Sequence, residues 1–185
     1  MIPSLKAAYG LRQPDFGTLV GPEVRREIAA DEAFSHFLPL YSFAAACGKF
    51  GAQQAVEQSG WIDVSAAGLR RKLTQNMFVV RAKGRSMEPK IHDGEYCVFE
   101  WRAGTCDSND IVLAEHSDIQ DDECEGAFSI KKFVGEKTQR ESSETGEWQT
   151  ATLVPMNSSY RKISLRNEGE FVHDYKIVGV YIGKL

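Results

Sequence analysis

Short runs of β-branched and aromatic residues, separated by glycines, prolines and polar stretches, dominate the chain from Met77 onward. Runs that alternate in this way are typical of half-buried β-strands. We predict strands in the following segments: 77–84, 95–101, 110–116, 128–134, 150–156, 161–167 and 175–185. The pattern therefore predicts a mostly β fold rather than a helix bundle.

The N-terminal part of the chain has a different pattern. Residues 21–37 predict one short helix, on which Val24 and Ile28 form a weak apolar stripe. Pro39 would end this helix, because proline cannot continue one. The segment 38–50 that follows is apolar, rich in alanine and glycine, and suited either to extend into a cleft or to serve as a flexible linker.

Composition limits the class of protein. The chain has 185 residues, enough for one ordinary domain or a small domain with an arm, and its net charge of −4 excludes a basic field over the whole chain. The four cysteines form no C-x-x-C pair and no zinc-site spacing, so we expect free thiols in a reducing compartment and no metal. Because no apolar run approaches the ~20 residues that span a bilayer, we expect a cytoplasmic protein. An acidic loop at 115–126 is interpreted as a solvated hairpin tip.

The candidate chemistry begins at the heptapeptide KGRSMEP, residues 83–89. A predicted strand ends at Gly84, and Ser86 follows in a turn that would present its hydroxyl at the edge of the sheet. The backbone N–H groups of Ser86 and Met87 are candidates to bind an oxyanion in such a turn. A polar turn serine without chemistry is the competing interpretation.

A serine nucleophile needs a base. The histidines lie in no recognisable triad context; they are His36, His92, His116 and His173. A lysine can act only when neutral, so its pKa must fall from about 10.4 toward about 7–8 by burial. Lys131 and Lys132 both lie in the apolar strand 128–134.

Alternation alone does not select between these lysines. Lys132 shares its strand face with the apolar residues Phe128, Ile130 and Val134, whereas Lys131 shares its face with Ser129 and Phe133. Simple periodicity therefore predicts that Lys132 is the more deeply buried of the two.

Several motifs in order resemble the LexA/UmuD group of self-cleaving serine peptidases, over roughly residues 38–185. They are GRSMEP, IHDGEYCVFEW with its Asp93-Gly94-Glu95 element, GTCDSNDIVLAEH, the Ile130-Lys131-Lys132-Phe133 strand, the segment 153–160 and the closing strand 177–185. The resemblance implies a LexA-like fold of bent antiparallel strands, no cofactor and a homodimer.

The resemblance also assigns roles. It implies that Ser86 is the nucleophile and Lys131 the base, which would require a twist or bulge to turn Lys131 toward the serine. It implies that the chain cuts its own Cys47–Gly48 bond, dividing it into an N-terminal arm, 1–47, and a peptidase domain, 48–185. The acidic loop would account for a longer separation of Ser86 and Lys131 than the group leads us to expect.

Three functions remain open from the sequence. The first is a Ser–Lys endopeptidase that cleaves its own N-terminal segment in a stress or DNA-damage response, with a nucleoprotein filament or a DNA-repair protein as partner. The second is a dimerisation or docking module for a DNA-repair or polymerase partner, in which catalysis is dispensable. The third, a type I signal peptidase, shares the Ser-Met-x-Pro pattern but would need a membrane anchor. Residues 1–37 are too few for a helix-turn-helix domain, so we expect no direct DNA-binding domain.

Overall fold

The computed structural model describes residues 22–46, 57–102, 105–116, 128–137, 148–165 and 175–185. Within these ranges a single mixed sheet of ten strands has the order β1-β3-β2-β4-β5-β10-β6-β7-β8-β9. The strands are β1 (Val24–Arg25), β2 (Phe37–Tyr41), β3 (Gly60–Asp63), β4 (Met77–Arg81), β5 (Tyr96–Glu100), β6 (Ile111–His116), β7 (Phe128–Lys137), β8 (Trp148–Val154), β9 (Ile163–Leu165) and β10 (Tyr175–Lys184).

The mostly β fold and the strands predicted from Met77 onward are confirmed. Strands β4 to β10 fall in the predicted segments, although β8 begins slightly earlier and β7 ends slightly later than the pattern indicated. The sheet is not purely antiparallel, because β2 runs parallel to β4. The expected antiparallel arrangement holds for the other described strand pairs.

The helix predicted over 21–37 is wrong for the described residues 22–37, which form β1, a series of turns and the start of β2. Side chains compete with a helix here, since the Ser35 hydroxyl donates to the carbonyls of Asp31 and Glu32 at 2.8 and 2.9 Å. Phe34 adopts a left-handed conformation with φ of 58°, which also interrupts a helix. The apolar Val24 instead pairs with Ile62 across β1 and β3.

Pro39 lies inside a buried strand rather than at the end of a helix. It pairs with Trp61 of β3, whereas the parallel pairing with β4 is recorded only for the next two residues, Leu40 and Tyr41. Proline lacks an N–H, so it fits a position where one side of the strand makes no ladder bond. Strands β1 and β2 thus bring residues of the predicted arm 1–47 into the main sheet.

The core covers both faces of the strands that carry the site. On one face, Ile130 of β7 packs in a cluster with Phe78, Phe99 and Leu113. On the other, Phe133 packs with a second cluster that includes Leu153. Both faces of β7 therefore contribute to the core, but the face of Ser129, Lys131 and Phe133 is buried throughout, whereas Phe128, Lys132 and Val134 on the other face are partly exposed.

Strand β10 joins the two halves of the sheet. Its first part pairs with β6 and its last part with β5, and its register shifts between Ile177 and Gly179. A Cβ at Gly179 would lie 3.0 Å from the Phe78 ring, so a larger residue here would fit only if the ring shifted. Phe78 belongs to β4, the strand that leads to Ser86, and β5 lies between β4 and β10 in the sheet.

Candidate active site

Ser86 lies in the loop between β4 and β5, in a turn that the local sequence fixes at both ends. Gly84 has a positive φ of 78°, and its N–H donates to Asp93 Oδ1 at 2.8 Å. Met87 is buried in the cluster that contains Ile91, and the Ile91 N–H donates to the Met87 carbonyl at 3.0 Å. Ser86 itself is only 6% exposed, which argues against a solvated turn serine.

Lys131 lies within β7, and its side chain contacts Ser86. Its Nζ donates a hydrogen bond to Ser86 Oγ at 2.7 Å and another to the Ser129 hydroxyl. Lys131 is 3% exposed and Ser129 1% exposed, so the amine and both hydroxyls are shielded from water. Burial by itself disfavours the charged form of an amine. The fold thus brings together the two residues that the resemblance pairs.

The prediction that Lys132 is the more buried lysine is wrong. Lys132 is partly exposed, whereas Lys131 is buried and faces Ser86. Periodicity fails here because the more apolar face of β7 is not the more buried one. Ser129, Lys131 and Phe133 are buried, whereas the opposite face carries the partly exposed Phe128, Lys132 and Val134. Of the expected twist or bulge, a bulge is not found at Lys131, since residues 111–115 pair with residues 128–132 without a shift in register, and the shift between β7 and β8 lies at Glu136 and Lys137.

Two backbone N–H groups beside the Ser86 hydroxyl are free to bind an anion. Within the described ranges, neither the Ser86 N–H nor the Met87 N–H makes a hydrogen bond, although both residues are buried. Buried N–H groups are rarely left without a partner, so these two donors have the capacity that an oxyanion site requires. These are the donors that the sequence pointed to.

The comparison with known families agrees with this geometry. Residues 39–182 match the family described as Peptidase S24-like. The matched range includes β4, the Ser86 turn and β7. The chain belongs to this family of serine peptidases, the LexA/UmuD family. No curated protein sequence matches the chain closely enough to count as a relative.

Two residues that contact Lys131 or the Ser86 turn were not assigned a role from the sequence. Ser129 lies two positions before Lys131 on the same face of β7, and that polar pair in an apolar strand was a usable signal. Asn157, in the loop after β8, donates from its backbone N–H to the Ser86 carbonyl at 2.9 Å. Its side-chain Nδ2 donates to the Arg85 carbonyl at 3.1 Å. The contact spans 72 positions of sequence, and no local pattern signals it.

A cleft of about 530 Å³ runs along residues 81–85 and the turn 93–94, ending one residue before Ser86. A smaller cavity of about 180 Å³ shares Arg81 and Lys83 with it and is also lined by Ser42 and Phe43. The two cavities therefore have two lining residues in common, but Ser86 itself lines neither of them.

The Cys47–Gly48 bond lies outside the described residues, but the residues directly before it are placed. Residues 43–46 form a helical turn, in which the Ala46 N–H donates to the Ser42 carbonyl at 2.9 Å and the Ala45 N–H to Ser42 Oγ at 3.2 Å. Alanine favours helix and serine is a good N-cap, which explains why this stretch is neither extended nor open. Ala46 is fully buried in the same cluster as Met87 and Ile130, the chain neighbours of Ser86 and Lys131.

The Asp93-Gly94-Glu95 element supports the loop that carries Ser86. Glu95 receives two hydrogen bonds from Lys184 Nζ, at 2.7 and 2.8 Å, and one from the His92 N–H at 2.9 Å. Lys184 Nζ also donates to the Lys90 carbonyl at 3.1 Å, tying β10 to the loop. Burial opposes ionisation of Glu95, but the bonds from Lys184 and His92 outweigh it and lower its pKa.

Other candidate chemistry is weaker in the described part of the chain. No group of three or more His, Cys, Asp or Glu residues there is arranged to hold a metal ion. Burial raises the pKa of the Cys97 thiol to about 12, so this cysteine stays protonated and is a poor nucleophile. Cys47, Cys124, His173 and most of the acidic loop lie outside the described residues. Among the helices that are described, none has the length and apolar character to cross a membrane.

Proposed function

We propose that this S24-family chain is a Ser–Lys endopeptidase that cleaves its own Cys47–Gly48 bond. The observation that carries the proposal is the 2.7 Å hydrogen bond between Lys131 Nζ and Ser86 Oγ, in a site where both residues are buried. This distance lies within the reach that proton transfer between a base and a nucleophile requires. No histidine or carboxylate is recorded in contact with the Ser86 hydroxyl among the described residues.

The reaction proceeds through an acyl-enzyme. Neutral Lys131 accepts the proton of the Ser86 hydroxyl while Oγ attacks the Cys47 carbonyl, and the carbonyl oxygen becomes an oxyanion held by the N–H groups of Ser86 and Met87. The tetrahedral intermediate collapses, the C–N bond breaks, and the protonated lysine gives its proton to the leaving amine of Gly48. Water, deprotonated by Lys131, then hydrolyses the ester and releases a carboxylate at Cys47.

Ser129 keeps the amine in place for this cycle. Its hydroxyl binds Lys131 Nζ from the same face of β7, so the lysine side chain is held toward Ser86 instead of rotating away. A hydroxyl can orient the amine without fixing a positive charge on it, which an aspartate at the same position would do.

The choice of substrate bond rests on proximity and on side-chain size. Ala46, the residue directly before the proposed bond, packs in the same cluster as Met87, which directly follows Ser86. The residues before the bond are small, and Gly48 on the leaving side adds no steric bulk. The helical turn 43–46 has to unwind for these residues to lie extended in the cleft.

The decisive experiment follows the purified full chain over time at neutral and raised pH. We expect a C-terminal fragment whose N-terminal sequencing begins at Gly48, appearing faster at raised pH, and no fragment from Ser86→Ala. A chain that stays intact at every pH, and also with a nucleoprotein filament added, would contradict self-cleavage. Cutting at another bond in a Ser86-dependent manner would retain the peptidase and reject the Cys47–Gly48 assignment.

The biological setting is part of the proposal. Cleavage would cut the covalent link between residues 1–47, whose strands β1 and β2 lie in the main sheet, and the rest of the chain, and so change what the homodimer binds in a stress or DNA-damage response. If Ser86→Ala and Lys131→Ala variants fold and keep full function in cells, the docking role is favoured over catalysis. Sedimentation of the intact and cleaved forms tests the homodimer separately.

A further inference from the structure

Asn157 contacts both peptide units that supply the candidate oxyanion donors. The Ser86 N–H belongs to the peptide unit whose oxygen is the Arg85 carbonyl, and that oxygen accepts a hydrogen bond from Asn157 Nδ2 at 3.1 Å. The Met87 N–H belongs to the next unit, whose oxygen is the Ser86 carbonyl, and that oxygen accepts from the Asn157 backbone N–H at 2.9 Å. One residue therefore holds the carbonyl ends of two consecutive peptide units.

Because of peptide geometry, the two hydrogen bonds at the carbonyl oxygens also determine where the N–H groups of the same peptide units point. A peptide unit is planar and trans, so its C=O and N–H point in opposite directions. Fixing each carbonyl on Asn157 therefore fixes the direction of the N–H on the far side of the same plane. A donor bound at the carbonyl also polarises the unit and strengthens its N–H as a hydrogen-bond donor.

The loop around Asn157 is itself well anchored. Its side-chain Oδ1 accepts the Ser159 N–H at 3.0 Å, and its carbonyl accepts the Tyr160 N–H at 3.1 Å. The loop follows β8, which pairs with β7 through residues that include Lys132 and Val154. The strand that carries the base and the turn that carries the nucleophile are thus linked through one short loop.

We infer that Asn157 is a positioning residue that orients the oxyanion-binding N–H groups of Ser86 and Met87. The inference rests on the proposed peptidase function. It predicts that the Asn157 side chain affects stabilisation of the tetrahedral intermediate and leaves proton transfer by Lys131 unchanged. Ser129 contacts the amine, so its hydroxyl is predicted to affect proton transfer by Lys131 and to leave stabilisation of the tetrahedral intermediate unchanged.

The test compares Asn157→Ala and Asn157→Asp in the full chain, with the exposed Asn76→Ala as a matched control. Both Asn157 variants lose the Nδ2 donor to Arg85, and both keep the backbone N–H to Ser86. The aspartate additionally keeps an oxygen to accept the Ser159 N–H, so the local turn survives in at least one variant. The probe is a fluorophosphonate, whose tetrahedral adduct on Ser86 places an oxygen where the oxyanion would lie.

We expect both Asn157 variants to be phosphonylated about 10- to 100-fold more slowly than the wild-type chain, below the full cost of deleting an oxyanion donor. The midpoint of the pH profile should stay unchanged, and Asn76→Ala should label at the wild-type rate. Labelling of Asn157→Asp within about threefold of wild type, or an equal slowing with a displaced pH midpoint, would overturn the inference. Failure of the wild-type chain to label at Ser86 would instead overturn the proposed function.

Discussion

The two adjacent lysines of β7 offer a sharp test of the proposed chemistry. We consider Lys131→Met and its matched control Lys132→Met, since methionine has similar length to lysine but no amine. Lys131 is buried and bonded to Ser86, whereas Lys132 is partly exposed and pairs with Ile111 and Val154 through the backbone. The two substitutions remove the same group from neighbouring positions on opposite faces of one strand.

The expected size of the effect follows from the contacts. Lys131→Met removes the base that touches the Ser86 hydroxyl, and general-base catalysis contributes about 10²- to 10⁴-fold, or about 3–5 kcal/mol of barrier. The hydroxyls of Ser86 and Ser129 each lose a partner, at about 1–3 kcal/mol, but the variant no longer has to bury an amine. The two effects oppose each other, so we expect the melting temperature to move by only a few degrees.

The assay is the first-order rate of appearance of the fragment that begins at Gly48, with circular dichroism to verify folding. We expect the cleavage rate of Lys131→Met to be at least about 10²-fold below the wild-type rate, and that of Lys132→Met to stay within about threefold of it. Loss of cleavage in Lys132→Met with retention in Lys131→Met, while both fold, would refute the assignment of the base.

Three further predictions follow from the same contacts. The cleavage rate should rise about tenfold per pH unit while the Lys131 amine is mainly protonated and then level off, because only the neutral amine accepts a proton; a flat profile from neutral to alkaline pH would contradict a lysine base. Ser129→Ala should slow cleavage about 10-fold and displace the pH midpoint, with Ser129→Thr restoring most of the rate; an unchanged rate in Ser129→Ala would show that the hydroxyl does not position the amine. Glu95→Gln should lower the free energy of unfolding by about 1 kcal/mol at neutral pH, measured by denaturant titration. The pKa of Glu95 is lowered below its usual 4.5, so the ionised carboxylate stabilises the fold above that pH, and this stabilisation is lost as the pH falls through the folded-state pKa. A difference in unfolding free energy between the wild-type chain and Glu95→Gln that does not shrink in acid would contradict the Lys184 contact.

The strands from Met77 onward could be predicted because their β-branched and aromatic residues alternate clearly and are bounded by glycines. The first three strands could not. Strand β1 has two residues, β2 contains Pro39, and β3 is paired with both, so each is defined by tertiary contacts rather than by its own pattern. The helix predicted over 21–37 failed for the same reason, because a weak apolar stripe was outweighed by strand pairing and local side-chain bonds.

The site was predictable to the extent that its residues lie in local motifs. Ser86 could be found from the glycine-serine turn, and a lysine in an apolar strand marked β7. Periodicity alone favoured Lys132, and only the resemblance selected Lys131, because which face of β7 is the more buried depends on the order of strands in the sheet. Asn157 could not be assigned a role, since its contacts to Arg85 and Ser86 exist only once the loop after β8 folds against the serine turn.

The helical turn 43–46 gives the chain a built-in latency if Cys47–Gly48 is the bond that is cut. Its two hydrogen bonds to Ser42 together contribute about 2 kcal/mol, which would leave the unwound, attackable form populated at only about 3%. The catalytic groups would then already be assembled, and unwinding of the substrate segment would limit the rate of cleavage. A partner that binds and holds the unwound segment would accelerate cleavage by up to about 30-fold while touching none of the groups that perform it.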